Sequence, residues 1–163
     1  IYEEMFSGFG FEYLDFNPTK KISWGFEAHK VFKRDYELNF DLLDYENITY
    51  HLNVYYKNRI LFPFDLKASY GEYLAGDKGV TFEFSRSFKK GIEIGFFTSF
   101  TDVSSDKFGE GSFDKGIFFK IPFGSNRNIS NFVWRPLTKD PASKLIRKNN
   151  LYDLVNKYSL ISN

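Results

Sequence analysis

The sequence predicts an all-β protein: an antiparallel, up-and-down β-barrel of the transmembrane type, about nine to ten strands that form part of a larger barrel. Three observations predict it. Apolar and polar residues alternate with period two through segment after segment, the spacing that gives a strand one oily and one polar face. Several of these segments run about 9 to 11 residues, the length a tilted strand needs to cross a bilayer. The connections alternate between short and long, as they do at the two rims of an outer-membrane barrel, except for a short turn at Gly76 where a long one is due.

Taken in order, the first segment, Phe6 to Phe16, sets Phe9, Phe11 and Tyr13 against Gly8, Gly10 and Glu12. Asn17-Pro18-Thr19-Lys20 then signals a turn. Ile22 to Phe32 sets Ile22, Trp24, Phe26 and Ala28 against Ser23, Gly25, Glu27 and His29. A polar loop is expected from Lys33 to Asn47. Ile48 to Tyr56 alternates Ile48, Tyr50, Leu52, Val54 and Tyr56 with Thr49, His51 and Asn53. After a short connection holding Asn58 and Pro63, Phe64 to Leu74 alternates Phe64, Leu66, Ala68 and Tyr70 with Asp65, Lys67, Ser69 and Gly71.

Gly76-Asp77-Lys78-Gly79 turns the chain into the clearest stretch, Val80 to Thr101. Here Val80, Phe82, Phe84 and Phe88 oppose Thr81, Glu83, Ser85 and Ser87, and Ile92, Ile94, Phe96 and Phe100 oppose Glu93, Gly95, Phe97 and Ser99. A three-residue loop Lys89-Lys90-Gly91 pairs Phe84 with Phe96 and Val80 with Phe100, which puts both apolar stripes on one side. A two-residue loop would put them on opposite sides and is rejected. A Gly/Ser/Asp loop, Asp102 to Asp114, leads to Lys115–Phe123, where Ile117, Phe119 and Ile121 oppose Gly116, Phe118 and Lys120. A turn at Gly124 to Asn128, a short strand Ile129–Arg135, a basic loop and a weak ninth strand near Leu151 to Val155 complete the series.

Composition narrows the classes. Phe and Tyr, 21 and 11 of 163 residues, favour pleated surfaces. A net charge of +1 gives no pull toward nucleic acid. The absence of Cys excludes a disulfide framework and Cys-ligated zinc. The opening Ile1-Tyr2-Glu3-Glu4 has neither a signal peptide's basic start nor an initiator Met, so a fragment or a processed piece is expected. No apolar run reaches the roughly 20 residues of a membrane helix. The mean hydropathy of -0.39 would suit a soluble protein, but it guides poorly for barrels, where every second strand residue is polar.

Alternation alone does not say which face points inward, since a soluble barrel has its oily face inside. The content of the polar face favours a membrane barrel over a soluble one. That face carries Glu12, Glu27, His29, His51, Asp65, Lys67, Glu83, Glu93 and Lys120 among Gly and Ser, a mixture suited to a wet lumen. Arg86 puts a base in the apolar register, close to the Lys89 turn and so near a rim. Strand counts in bacterial single-chain barrels are even, so nine strands imply further strands from upstream chain or another copy, or a true count other than nine.

The loops carry a resemblance. Tyr73-Leu74-Ala75-Gly76-Asp77-Lys78-Gly79, Phe100-Thr101-Asp102-Val103, the stretch Phe108 to Gly116 (FGEGSFDKG) and Trp134-Arg135-Pro136-Leu137-Thr138-Lys139-Asp140 are similar to the C-terminal part of the YjbH-like family. Glu3 to Gly8 and Leu151 to Leu154 fit the same pattern. The resemblance implies an outer-membrane β-barrel tied to exopolysaccharide production and secretion. It supplies no catalytic residues.

The candidate sites follow from these loops. Glu110, Ser112, Asp114 and Lys115 could meet sugar hydroxyls, or simply shape a turn. Asp77 and Lys78 sit at a tight turn, solvated or glycan-facing. Trp134 suits an interface anchor, with Arg135 toward the lumen. His29 and His51 read as hydrogen-bonding lumen residues: no G-x-S-x-G or metal-ligand spacing accompanies them. The expectation is therefore a non-catalytic outer-membrane barrel for exopolysaccharide export or assembly, without cofactor or metal. Its partners would be the bilayer, the glycan and other secretion proteins. The alternatives are a soluble or surface glycan-binding β-domain and, third, a lipase-like barrel enzyme.

Overall fold

A computed structural model of the chain describes residues 6–35, 42–88, 92–103, 113–123, 130–134 and 150–155. Eight strands form one antiparallel sheet in strict sequence order. They are β1 (Phe6–Asp15), β2 (Ile22–Arg34), β3 (Leu42–Asn58), β4 (Phe64–Glu72), β5 (Lys78–Ser87), β6 (Glu93–Thr101), β7 (Asp114–Phe123) and β8 (Ser130–Trp134). Each strand pairs with the next in the chain, which is the up-and-down topology. Among the described residues β1 and β8 do not pair, so the sheet is an open layer and not a closed barrel.

Period-two alternation works out as a difference between the two faces. One face presents large apolar side chains from every strand: Phe9, Trp24, Leu52, Leu66, Phe82, Phe96, Ile117 and Phe132 are all exposed. The rings meet across strands, with Phe64, Phe84 and Phe96 stacked at 5.5 and 5.3 Å between centroids. The other face buries Ser23, His29, Thr49, His51, Asn53, Ser69, Thr81, Ser85 and Ser99. These groups are buried although the described residues contain no second sheet, as expected of a layer that curves toward its polar side. We call the polar side concave and the apolar side convex.

The central hairpin has the register its alternation predicts, Phe84 opposite Phe96 and Val80 opposite Phe100. The Phe88 N–H donates to the Ile92 carbonyl at 2.8 Å, and the Lys89–Gly91 loop itself lies outside the described residues. Two expectations need correction. The polar loop expected at Lys33 to Asn47 is largely strand: β3 begins at Leu42, and a register shift between Phe32 and Arg34 lets Arg34 pair with Leu42. The ninth strand is instead a short helix over 151–155, α1. Asn150 caps it: its Oδ1 accepts from the Asp153 N–H at 2.8 Å, and its carbonyl accepts from the Leu154 N–H at 3.1 Å. Asn at the cap with an acid three residues on is the helix-start signature that outweighs a short apolar run.

Curling requires small residues on the concave side. At Gly71, in β4, a Cβ would run into the Tyr50 carbonyl oxygen of β3 and approach the His51 Cα to 2.8 Å. Both obstacles are backbone, so nothing cheap can give way. Gly71→Ala is expected to destabilise the sheet by about 1–3 kcal/mol, the usual range for overpacking. A denaturant midpoint measures it, and an unshifted midpoint would show that the two strands are not that close.

A candidate glycan-contacting face

The concave face is built in rows, because antiparallel pairing sets one residue of each strand beside its neighbour. In one row Asn53 and Ser69 pair, and the Ser69 hydroxyl donates to Asn53 Oδ1 at 2.6 Å. The row continues through Thr81 and Ser99, whose hydroxyls bond at 2.7 Å. The phenol of Tyr73 joins Thr81 at 2.6 Å, and its ring lies edge-on to His51 at 5.0 Å. Tyr73 is fully buried just past β4, and burial pushes its phenol up to about 12, so it stays neutral at any physiological pH.

The next rows carry charge in complementary pairs. Glu27 lies opposite His51, 3.6 Å from its Nδ1. Lys67 lies opposite Glu83 at 3.8 Å, and Lys120 opposite Glu93 at 3.3 Å. Asp65 is paired at 2.8 Å with Arg59, from the β3–β4 connection. Glu12 stands opposite Glu27, and its Oε2 accepts the Leu151 N–H of α1 at 2.8 Å.

That last bond ties α1 to the concave side at the rim where β1 ends and β2 begins. Tyr152 is the main contact. Its ring stacks on Tyr55 at 3.6 Å with 10° between planes, and Phe16 meets it edge-on at 6.3 Å. The Lys57 ammonium sits 5.2 Å from the Tyr152 ring centre and 5.5 Å from that of Phe16. Lys67 lies 5.5 Å from the Tyr55 ring centre.

The residues singled out from sequence fall in three places. Glu12, Glu27, His29, His51, Asp65, Lys67, Glu83, Glu93 and Lys120 belong to the same register as the buried polar side chains, and His29 and His51 are themselves buried on adjacent strands. Asp77 is buried in the turn after β4, where Gly76 takes φ +82° and the Tyr73 carbonyl accepts from both Gly76 N–H and Asn47 Nδ2. Lys78, exposed beside it, lies 3.7 Å from Glu72, and its N–H donates to Asp102. At the same rim, Asp114 opens β7 opposite Ser99, and Lys115 lies over the Phe113 ring at 4.6 Å. Glu110, Ser112 and Arg135 lie outside the described residues. Among the described residues no helix is long and apolar enough to cross a membrane.

The family model described as YjbH, "Exopolysaccharide biosynthesis protein YbjH", matches residues 1–157. The chain belongs to this family. It is also 36% identical over 166 residues to a protein of Escherichia coli (strain K12) described as "Uncharacterized lipoprotein YjbH". That alignment takes in 97% of this chain and 24% of the relative, so the chain spans about a quarter of that protein's length. No solved structure matches.

In this YjbH-family chain, sequence reasoning passed over Tyr55, Lys57 and Tyr152. Tyr55 is an aromatic between Asn53 and Lys57 in the polar register of β3, a break in the alternation that could have marked it. Tyr152 was obscured because α1 was read as a strand.

Proposed function

We propose that this chain forms part of the wall of an outer-membrane β-barrel that serves exopolysaccharide export or assembly and carries out no chemistry of its own. One observation supports this above the rest: the sheet is oily on its convex side and hydrogen-bonded and charged on its concave side. Soluble monomers rarely expose a contiguous apolar patch beyond roughly 300–600 Å². A convex face carrying exposed Phe, Trp, Leu or Ile on all eight strands exceeds what water tolerates, and hydrocarbon is its natural solvent. Arg86 fits the same solvent: near the end of β5, its guanidinium rests against Phe62 and Phe88 at 5.9 and 5.4 Å. β3, at 17 residues, exceeds the crossing length and would project beyond the bilayer with Asp44 and Glu46 in water.

In this reading the concave face lines a wet passage. Its hydroxyls, amides and paired charges exchange hydrogen bonds with a hydrated glycan, and the remaining strands come from elsewhere in the assembly. Membership of a family described by exopolysaccharide biosynthesis supplies the cargo. Deleting the gene should lower secreted and surface polysaccharide several-fold, with the protein recovered in the outer-membrane fraction. Unchanged polysaccharide would remove the proposal. Recovery as a monomer without detergent would favour a glycan-binding domain in solution.

A further inference from the structure

The seat of α1 has the make-up of a binding site whose occupant is the chain's own tail. Two aromatic rings, Tyr55 and Phe16, bound a flat slot that Tyr152 fills, one face-on and one edge-on. Lys57 stands 5.2 Å from the centre of the ring that fills the slot, and Lys67 lies 5.5 Å from the centre of its Tyr55 wall. The residue after the ring is Asp153, whose charge acts on both lysines. Tyr152 and Asp153 thus deliver a planar ring with a carboxylate beside it. A hexuronate unit of a polysaccharide presents the same pair of features, an apolar ring face and a carboxylate at its edge.

We infer that the Tyr55–Phe16–Lys57–Lys67 slot binds an acidic pyranose of the exported glycan, and that Tyr152 and Asp153 of α1 occupy it in the glycan's absence. This rests on the glycan-export reading and adds the chemical class of the sugar and the residues that take it. The geometry makes the occupant exchangeable. α1 is seated through the Tyr152 ring stack and the Leu151 N–H to Glu12 bond, contacts that a sugar ring face and a hydroxyl can replace one for one. Occlusion then lowers the apparent affinity by the fraction of time the slot is open. The glycan and the helix compete, so α1 keeps the passage filled until an acidic chain displaces it.

The test is calorimetric titration of the detergent-solubilised protein with tetragalacturonate, and with maltotetraose as a neutral probe. Tyr152→Ala with Asp153→Asn should tighten tetragalacturonate binding about tenfold, as expected if the slot is open about a tenth of the time. Tyr152→Phe keeps the stack and should bind like the parent. Adding Tyr55→Ala or Lys57→Gln to the opened variant should weaken binding about tenfold, and maltotetraose should bind at least about tenfold more weakly than the acidic probe. Heat-modifiable migration on gels establishes that each variant is folded. Binding that is absent, indifferent to charge, or unchanged when Tyr152 and Asp153 are replaced would overturn the inference and leave the slot as a seat for the helix alone. The export reading stands or falls separately, on the polysaccharide yield of the deletion strain.

Discussion

Replacing Phe82 and Phe96 together with Arg is expected to abolish assembly into membranes. Both side chains point out of the convex face, about half exposed at 50% and 54%. Both lie mid-strand: Phe96 pairs with Phe84 and Phe82 with Thr98. An Arg at the bilayer midplane of a barrel costs about 2–4 kcal/mol. The two positions are not direct partners, so the costs should nearly add, to about 4–8 kcal/mol, a large share of a domain's whole stability. In water the same changes would cost little and would improve solubility, because exposed rings gain nothing from hydration. The experiment therefore has opposite outcomes for the two solvents. Folding into lipid vesicles, read by heat-modifiable migration and protease protection, should fail for the double variant. A double variant that folds as well as the parent would mean that the convex face meets water or protein. Arg86 supplies an internal comparison, since Arg86→Leu should be nearly neutral at its rim position.

The reading of these faces was available in the sequence because burial in a sheet is periodic, and period two survives without knowledge of neighbours. Phe82, Phe84, Ile94 and Phe96 fall on one side for that reason alone, and the hairpin register followed from requiring one side for both stripes. Closure is different. The sheet is open between β1 and β8 among the described residues, and no local pattern along Phe6–Trp134 specifies what pairs with either edge. The stretch Leu151 to Val155 holds too little periodicity to separate helix from strand. Asn150 and Asp153 held the deciding signal, a cap, which is a matter of position and not of hydrophobicity. The slot around Tyr152 was illegible for a deeper reason. It joins β1, β3 and the tail through contacts separated by about a hundred residues, and nothing in the spacing of Phe16, Tyr55 and Tyr152 announces that they meet. Charge pairing lay between these extremes: acids and bases on one face were visible, their partners were not. Glu83 finds Lys67 only because β4 and β5 pair in one register.

That pair leads to the second large effect. Lys67→Met is expected to cost about 2–3 kcal/mol, and Glu83→Gln only about 1 kcal/mol. Removing one member of a fully buried ion pair typically costs about 3–5 kcal/mol, because the survivor is left without a counter-charge. Here the side chains keep 25% and 18% of their exposure, so water screens part of the loss and the expectation is scaled down. The asymmetry comes from the neighbours. Lys67 answers not only Glu83 but also Glu27 and Asp153, so its removal takes a counter-charge from three carboxylates. Removing Glu83 leaves the ammonium with two acids and with Tyr55 at 5.5 Å. The double variant should be less destabilised than the sum of the singles by about 1 kcal/mol, the coupling a double-mutant cycle isolates. Lys30→Met is the comparison. Its partner Glu46 at 3.1 Å is well exposed, and such pairs contribute about 0–1 kcal/mol. Denaturant midpoints of the detergent-folded variants at neutral pH decide the matter. Equal costs for Lys67→Met and Lys30→Met would mean that the concave face is as open to bulk water as the rim. A larger cost for Lys67, shrinking in high salt, is what a confined aqueous wall with few compensating charges requires.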